Sequence, residues 1–119
     1  MAGQLQVVRI DELPFDAPMA LLERRRVIGE KMMVSDIRLK EGFRVATHSH
    51  ENEQISIVLS GMLRFIVGPE GGAQQEHVIG AGGAIVLPPN LPHAAEALED
   101  VHVLDLFCPP SAGTGIDRR

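Results

Sequence analysis

The sequence has almost no cysteine: Cys108 is the only one in 119 residues. An internal disulfide is therefore excluded. A chain of this length buries roughly two thirds of its unfolded surface on folding, so it needs no such cross-link. One unpaired cysteine is compatible with a reducing compartment. The length suits a single domain.

Long hydrophobic runs and clusters of basic residues are also missing. No apolar stretch approaches the roughly 20 residues that a membrane-spanning helix needs, and the N-terminus lacks the charged-then-apolar pattern of a secretory signal. The net charge is -5. The only basic run, "ERRRV" at 23–27, is interpreted as one face of a strand rather than a phosphate-binding surface. We expect a cytoplasmic protein that binds a small molecule and neither membranes nor nucleic acid.

Helical periodicity is nearly absent as well, and residues 16–26 allow at most one short turn of helix. The rest of the chain reads as short alternating segments separated by turn residues, with 12 glycines and 8 prolines in all. In residues 54–59, for example, Gln54, Ser56 and Val58 share one face of a strand. This pattern predicts an all-β sandwich or barrel.

A stretch rich in histidine and carboxylate, "ATHSHENEQISIVLSG", occupies residues 46–61. His48 and His50 are one residue apart and would point the same way on a strand. Gln54 has the same parity at the start of the next strand, and His93 opens a later strand after the rigid "LPPNLP". These four residues would suit Zn, Ni, Fe(II), Mn or Co rather than Ca or Mg. The alternative is that they are ordinary polar histidines at strand ends.

The spacing of these residues resembles the two motifs of the cupin family. The first motif matches Gly42, His48, Ser49, His50, Gln54 and Gly61, and the second matches Gly82, Pro88, Pro89, Asn90 and His93. The resemblance runs from about residue 30 to 108. The resemblance implies a single cupin-type jelly-roll β-barrel with one divalent transition metal ion at its centre.

That resemblance implies His48, His50 and His93 as metal ligands. Gln54 is the expected fourth ligand, although the family usually has glutamate there, and a slipped register would make Glu53 the ligand instead. Two further departures are Asn90, where the second motif has glycine, and Ala97, where it has asparagine. Asn tolerates left-handed backbone conformations, so the first exchange is expected to be neutral.

A carboxylate stands in the apolar segment "VHVLDLFCPP" near the C-terminus. On a period of two, Val101, Val103, Asp105 and Phe107 share a face. If that face looks into the barrel, Asp105 is a buried acid and a candidate acid–base catalyst. Alternatively, Asp105 faces outward or pairs with an arginine of residues 24–26.

The segments around the histidines and around Asp105 also resemble small single-domain cupins of the pectin-degradation type. In that group an aspartate and a phenylalanine in a D-x-F pattern are implicated in ring opening of unsaturated uronates. The resemblance therefore implies Asp105 as catalyst and Phe107 as a substrate-binding residue. Where the group often has an arginine, this chain has Ser111. The alternatives are an Fe(II) dioxygenase and a non-enzymatic module that binds a sugar or metabolite.

We expect three regions along the chain. Residues 1–29 form an N-terminal segment with edge strands, 30–108 form the barrel and 109–119 form a C-terminal tail. The apolar N-terminal segment is expected to pair with a second copy, giving a homodimer. His77 and His102 are assigned to no site, and His102 is expected to face solvent or a partner.

Overall fold

The computed structural model describes residues 3–110, which form nine strands and one short 3-10 helix. The helix is η1 (Ile10–Glu12). The strands are β1 (Leu22–Ile28), β2 (Met33–Leu39), β3 (Arg44–His48), β4 (Glu53–Ser60), β5 (Leu63–Val67), β6 (Gln75–Ile79), β7 (Ala84–Leu87), β8 (His93–Ala97) and β9 (Val101–Cys108). The all-β prediction is confirmed, and residues 3–110 contain no helix long and apolar enough to cross a membrane.

The strands form two antiparallel sheets that face each other. One sheet has the order β1-β2-β9-β4-β7, and the other has the order β3-β8-β5-β6. Strand β9 therefore lies between β2 and β4 at the centre of the larger sheet. Its inward side chains therefore have a cross-strand neighbour on each side. Asp105, for example, is directly opposite Ser35 of β2 and Ser56 of β4.

The space between the sheets changes character along its length. One end is filled by apolar side chains such as Leu39, Phe43, Val58 and Val101. At the other end the same strands turn polar residues inward: β4 changes from Val58 to Ser56 and Gln54, and β9 changes from Val101 to Asp105. The apolar end forms the core, and the polar end is the candidate site.

Two turns need residues that tolerate positive φ. Gly61 has a φ of 87°, and a Cβ at this position would collide with the backbone carbonyl oxygen of Asp100. Asn90 has a φ of 67° in the turn before β8. This left-handed conformation is the one expected at a position where the second motif has glycine. The amide N–H of Asn90 donates to the carbonyl oxygen of His50 at 2.8 Å, so this turn is tied to the histidine loop.

Two local features of the structure go beyond the expectations from the sequence. Residues 16–26 form no helical turn; an isolated bridge pairs Asp16 with Arg24, and strand β1 begins at Leu22. His102 does not simply face solvent, because its Nε2 lies 2.6 Å from the buried Asp36 carboxylate. Asp36 also accepts a hydrogen bond from Arg25. Alternation along β9 correctly placed His102 on the outer face, but it could not identify a charged partner on the neighbouring strand.

Candidate metal centre

Three histidines converge at the polar end of the barrel. His48 is the last residue of β3, and His93, the first residue of β8, is its direct cross-strand partner. His50 lies beyond β3, in the turn that leads to β4, and so the sequence argument that placed it on the same strand as His48 is wrong. The three side chains nevertheless meet, with one ligand atom from each within 4.8 Å of the others.

Each imidazole is oriented by a main-chain carbonyl two residues away. The Nδ1 atoms of His48, His50 and His93 lie 2.8, 3.1 and 2.8 Å from the carbonyl oxygens of Ala46, Asn52 and Leu91. A neutral imidazole that donates from Nδ1 leaves a lone pair on Nε2. Main-chain acceptors behind histidine ligands are a regular feature of metal sites. The three histidines are therefore set in the tautomer that a cation requires.

Gln54 adds an oxygen to this group. Its side chain is only 5% exposed, and its Oε1 lies 3.1 Å from His50 Nε2. Neutral His50 carries a single N–H, so it cannot donate both to Asn52 through Nδ1 and to Gln54 through Nε2. If Nδ1 holds the proton, two lone pairs face each other across 3.1 Å. A cation between them removes this conflict.

The spacing also fits a shared ion. Metal–nitrogen and metal–oxygen bonds are each about 2.1 Å long, so two ligands at right angles lie about 3.0 Å apart. Glu53, the alternative fourth ligand, is exposed on the face of β4 opposite to Gln54, away from the histidines. The described residues thus provide three nitrogen donors and one neutral oxygen donor that suit a transition metal ion.

Burial favours the uncharged form of His50 and His93. It lowers the pKa of His93 to about 4, with further lowering from the neighbouring His48 and His50. It also lowers the pKa of His50, again with the positive field of His48 contributing. Because metal binding requires neutral imidazole, these shifts let both residues bind an ion without first losing a proton at neutral pH.

Asp105 faces the interior, which decides between the alternatives that the sequence left open. It is 8% exposed and lines a cavity of about 40 Å³ together with His48, Gln54, His93 and Phe107. Burial raises the pKa of Asp105 to about 6, and a hydrogen bond from Ser56 acts in the opposite direction. Of the arginines proposed as its partners, Arg24 and Arg25 instead bind Asp16 and Asp36.

Phe107 lies beside Asp105 in the cavity wall. It is fully buried, and its ring meets that of His50 edge-on at a centroid distance of 5.9 Å. The ring therefore packs against a candidate ligand as well as lining the cavity.

Sequence reasoning missed two polar residues at the site. Ser56 is completely buried and donates to Asp105 Oδ1 at 2.6 Å, while it accepts from Gln54 Nε2 at 2.9 Å. Asn52 is also buried; its main-chain carbonyl accepts from His50, and its side chain binds the carbonyl of Pro109. The inward parity of Ser56 was visible in the sequence, but its link to Asp105 depends on the register of β4 against β9.

Comparison with known proteins places this architecture in a family. The family model for the cupin domain matches residues 35–107. The chain belongs to the cupin family, and the resemblance that the two motifs indicated is confirmed. No curated protein matches the sequence.

Solved structures agree with this assignment. KdgF from a Halomonas species has a TM-score of 0.80 at 25% identity, over 92% of this chain and 97% of that chain. An RmlC-like cupin from Shewanella frigidimarina has a TM-score of 0.79 at 21% identity, over 92% and 95%. A Bacillus subtilis oxalate decarboxylase variant has a TM-score of 0.80 at 20% identity, but this chain covers only 33% of its length.

Removing a histidine of the cluster should abolish metal retention. We expect His48→Ala and His93→Ala to reduce the metal content of the purified protein by more than about tenfold, since even outer-shell changes cost that much in metal affinity. His77→Ala is the matched control, because His77 is exposed on β6 and lies outside the cluster. Elemental analysis measures the result. Unchanged metal content in both cluster variants would rule out this centre.

The burial of Asp105 should appear in the pH dependence of stability. Its folded pKa of about 6 lies above its ordinary 3.8, so the folded state binds more protons between these values and its stability falls as the pH rises through them. Above pH 6, this difference in pKa lowers the free energy of unfolding by roughly 3 kcal/mol. Metal-free Asp105→Asn should therefore be more stable than the metal-free parent at pH 7.5 and equal to it near pH 4. Denaturant unfolding at both pH values tests this; an equal difference at both would contradict it.

Proposed function

We propose that this cupin is a metal-dependent enzyme that opens the ring of an unsaturated uronate, a small sugar acid. The observation that carries the proposal is Asp105, a buried carboxylate that lines the same cavity as His48, Gln54 and His93. Burying a carboxylate without a cationic partner is unfavourable. A group kept in such a position next to a candidate metal centre is typical of acid–base catalysis.

The charge of the donor set favours an anionic ligand. Three neutral histidines and a neutral amide leave the charge of a divalent ion uncompensated, whereas the glutamate usual at the position of Gln54 would offset part of it. The carboxylate of a uronate supplies the missing negative charge. When bound, the ion would act as a Lewis acid toward a substrate oxygen. His48, His50, Gln54 and His93 are the residues proposed to hold it.

Ring opening of an unsaturated uronate is an isomerisation, so it requires proton movement without net gain or loss. The anomeric hydroxyl loses its proton as the bond between the anomeric carbon and the ring oxygen breaks. The ring oxygen becomes an enol, and moving a proton to carbon gives the ketone. A group that both accepts and donates a proton is needed, and a pKa of about 6 suits Asp105 to both steps near neutral pH.

The form of the cavity limits how a substrate would bind. A space of about 40 Å³ holds an ion and one or two waters rather than a whole sugar ring. The reacting oxygens would therefore enter the cavity while the rest of the sugar stays at its mouth. Phe107 is proposed to contact the part of the substrate that enters the cavity. Ser111, which replaces the arginine of the pectin-degradation group, lies outside the described residues.

Replacing Asp105 should remove turnover and leave the metal in place. We expect Asp105→Asn to slow the reaction by about 100-fold or more, as is usual when a general acid–base is lost. The measurement is the loss of ultraviolet absorbance from the double bond conjugated to the uronate carboxylate, with metal content determined in parallel. Glu53→Gln is the control, because Glu53 is exposed next to the site and should affect neither.

The outcomes separate the alternative functions. Absence of turnover on a panel of unsaturated uronates, with the metal retained, would overturn the sugar-acid proposal. Oxygen consumption on adding Fe(II) and a candidate substrate would favour a dioxygenase. Binding of a sugar or metabolite without conversion would favour a non-enzymatic module.

We also propose that the chain forms a homodimer, in the cytoplasm, through its N-terminal segment. Leu5 and Val7 are 93% and 89% exposed on a stretch without regular secondary structure before η1. Part of the outer face of the larger sheet is also apolar, because Ile55, Ile57 and Leu104 lie on the side of the sheet away from the core. A second copy would cover both features.

Charged residues in this segment should weaken the dimer. We expect Leu5→Asp combined with Val7→Asp to shift the protein to a monomer in sedimentation velocity, because each carboxylate would have to be buried at the interface. Gln4→Asp combined with Gln6→Asp adds the same charge on the same stretch without removing an apolar side chain, and should leave the dimer intact. A parent protein that sediments as a monomer would contradict the proposal.

A further inference from the structure

Ser56 links the candidate metal ligand Gln54 to the buried acid Asp105 through hydrogen bonds. It stands on β4 between Gln54 and Asp105 and is directly opposite Asp105 on β9. Its Oγ lies 2.9 Å from Gln54 Nε2 and 2.6 Å from Asp105 Oδ1. With no exposed surface, this hydroxyl has no access to bulk water as an alternative partner. Both of its contacts are therefore within the protein.

The hydroxyl has a single proton, which determines the direction of the whole chain of hydrogen bonds. The ionised Asp105 carboxylate can only accept, so in this form of the site the Ser56 proton is donated to it. Ser56 Oγ must then accept from its other neighbour. Only the NH2 end of the Gln54 amide can donate to it, so the Oε1 end is turned toward the histidines.

We propose that Ser56 is a positioning residue that selects this orientation of the Gln54 amide, so that an oxygen and not an NH2 group faces the metal centre. The inference rests on the metal site proposed above. A glutamate at position 54 would have two equivalent oxygens and would need no such selection. The amide has two orientations, and only one of them turns its oxygen toward the ion. In the other, an N–H would occupy the lone pair of His50 and a positively polarised group would face the ion.

The same arrangement defines the part that Asp105 plays. One carboxylate oxygen, Oδ1, is occupied by Ser56. This bond fixes the rotation of the carboxylate and leaves Oδ2 as the oxygen that would exchange protons with a substrate. Ser56 touches neither the ion nor the substrate in this scheme; it acts through Gln54 and Asp105.

The test measures metal affinity without any substrate. Competition between the protein and a chromogenic chelator for Zn²⁺ or Ni²⁺ gives the affinity at neutral pH. We expect Ser56→Ala to weaken binding by about tenfold, as is typical for loss of a group that orients a ligand. Ser56→Thr keeps the hydroxyl and should restore most of the affinity. Ser35→Ala is the matched control, because Ser35 is a buried serine opposite Asp105 on the other neighbouring strand.

A second background distinguishes orientation from a general structural effect. In Gln54→Glu the ligand oxygens are equivalent, so adding Ser56→Ala should cost much less affinity than it does in the parent. An equal loss in both backgrounds, or an equal loss in Ser35→Ala, would overturn the inference, as would unchanged affinity in Ser56→Ala. If Ser56→Ala does not fold, Ser56→Cys replaces it, because a thiol is a weak acceptor of similar size.

The failure of this inference can be told apart from failure of the proposed function. Loss of affinity in Ser56→Ala with no uronate turnover by the parent would support the role of Ser56 and reject the sugar-acid activity. If the parent turns over uronate but Ser56→Ala binds metal as tightly as the parent, the sugar-acid activity is supported and the role of Ser56 is rejected. A parent that binds neither Zn²⁺ nor Ni²⁺ would overturn both.

Discussion

Three hydrogen bonds from histidine Nδ1 atoms to main-chain carbonyls determine what the polar end of the barrel can bind. A neutral imidazole has one proton, and in each case the backbone accepts it. One possible ligand atom of each histidine lies within 4.8 Å of the others. Since the carbonyls belong to β3, to the loop after it and to the turn before β8, this preference is part of the fold and does not depend on exposed side chains.

The barrel supports this arrangement by dividing its interior into two parts. The apolar end provides the hydrophobic burial that stabilises the fold, and so the polar end can hold groups that are unfavourable to bury. Asp105 is the clearest of these, since its pKa is raised to about 6 by burial. The buried acid on the other face of the same sheet, Asp36, differs: it is paired with Arg25 and His102, and its pKa is lowered. Two buried carboxylates on neighbouring strands thus have pKa values shifted in opposite directions, and the one without a cationic partner is the proposed acid–base group.

Much of this could be predicted from the sequence, because it depends on local periodicity and on motif spacing. Alternation grouped Gln54 with Ser56 on one face of β4 and Asp105 with Phe107 on one face of β9, although it left open which face of β9 looks inward. The two motifs indicated the family. The position of His50 was derived incorrectly from strand parity, since the strand ends at His48 and a turn carries His50 to the cluster. A turn has no fixed period, so parity could not describe it.

The remaining features depend on which strands are neighbours. The contact of Ser56 with Asp105 spans 49 positions and the contact of His102 with Asp36 spans 66. Both follow from the order β2-β9-β4, which periodicity within a single strand does not contain. Parity shows which way a side chain points, but only the sheet order shows what it meets.

The bond from Asn90 N–H to the carbonyl of His50 has a consequence for folding. It joins the loop of the first motif to the turn of the second, and His48 is the cross-strand partner of His93, so the three histidines come together only when β3 has paired with β8. An unfolded chain keeps only the neighbouring pair His48 and His50, a far weaker chelate. An ion that binds all three histidines therefore acts on the folded state alone and stabilises it by mass action. In this protein, metal availability would set resistance to unfolding.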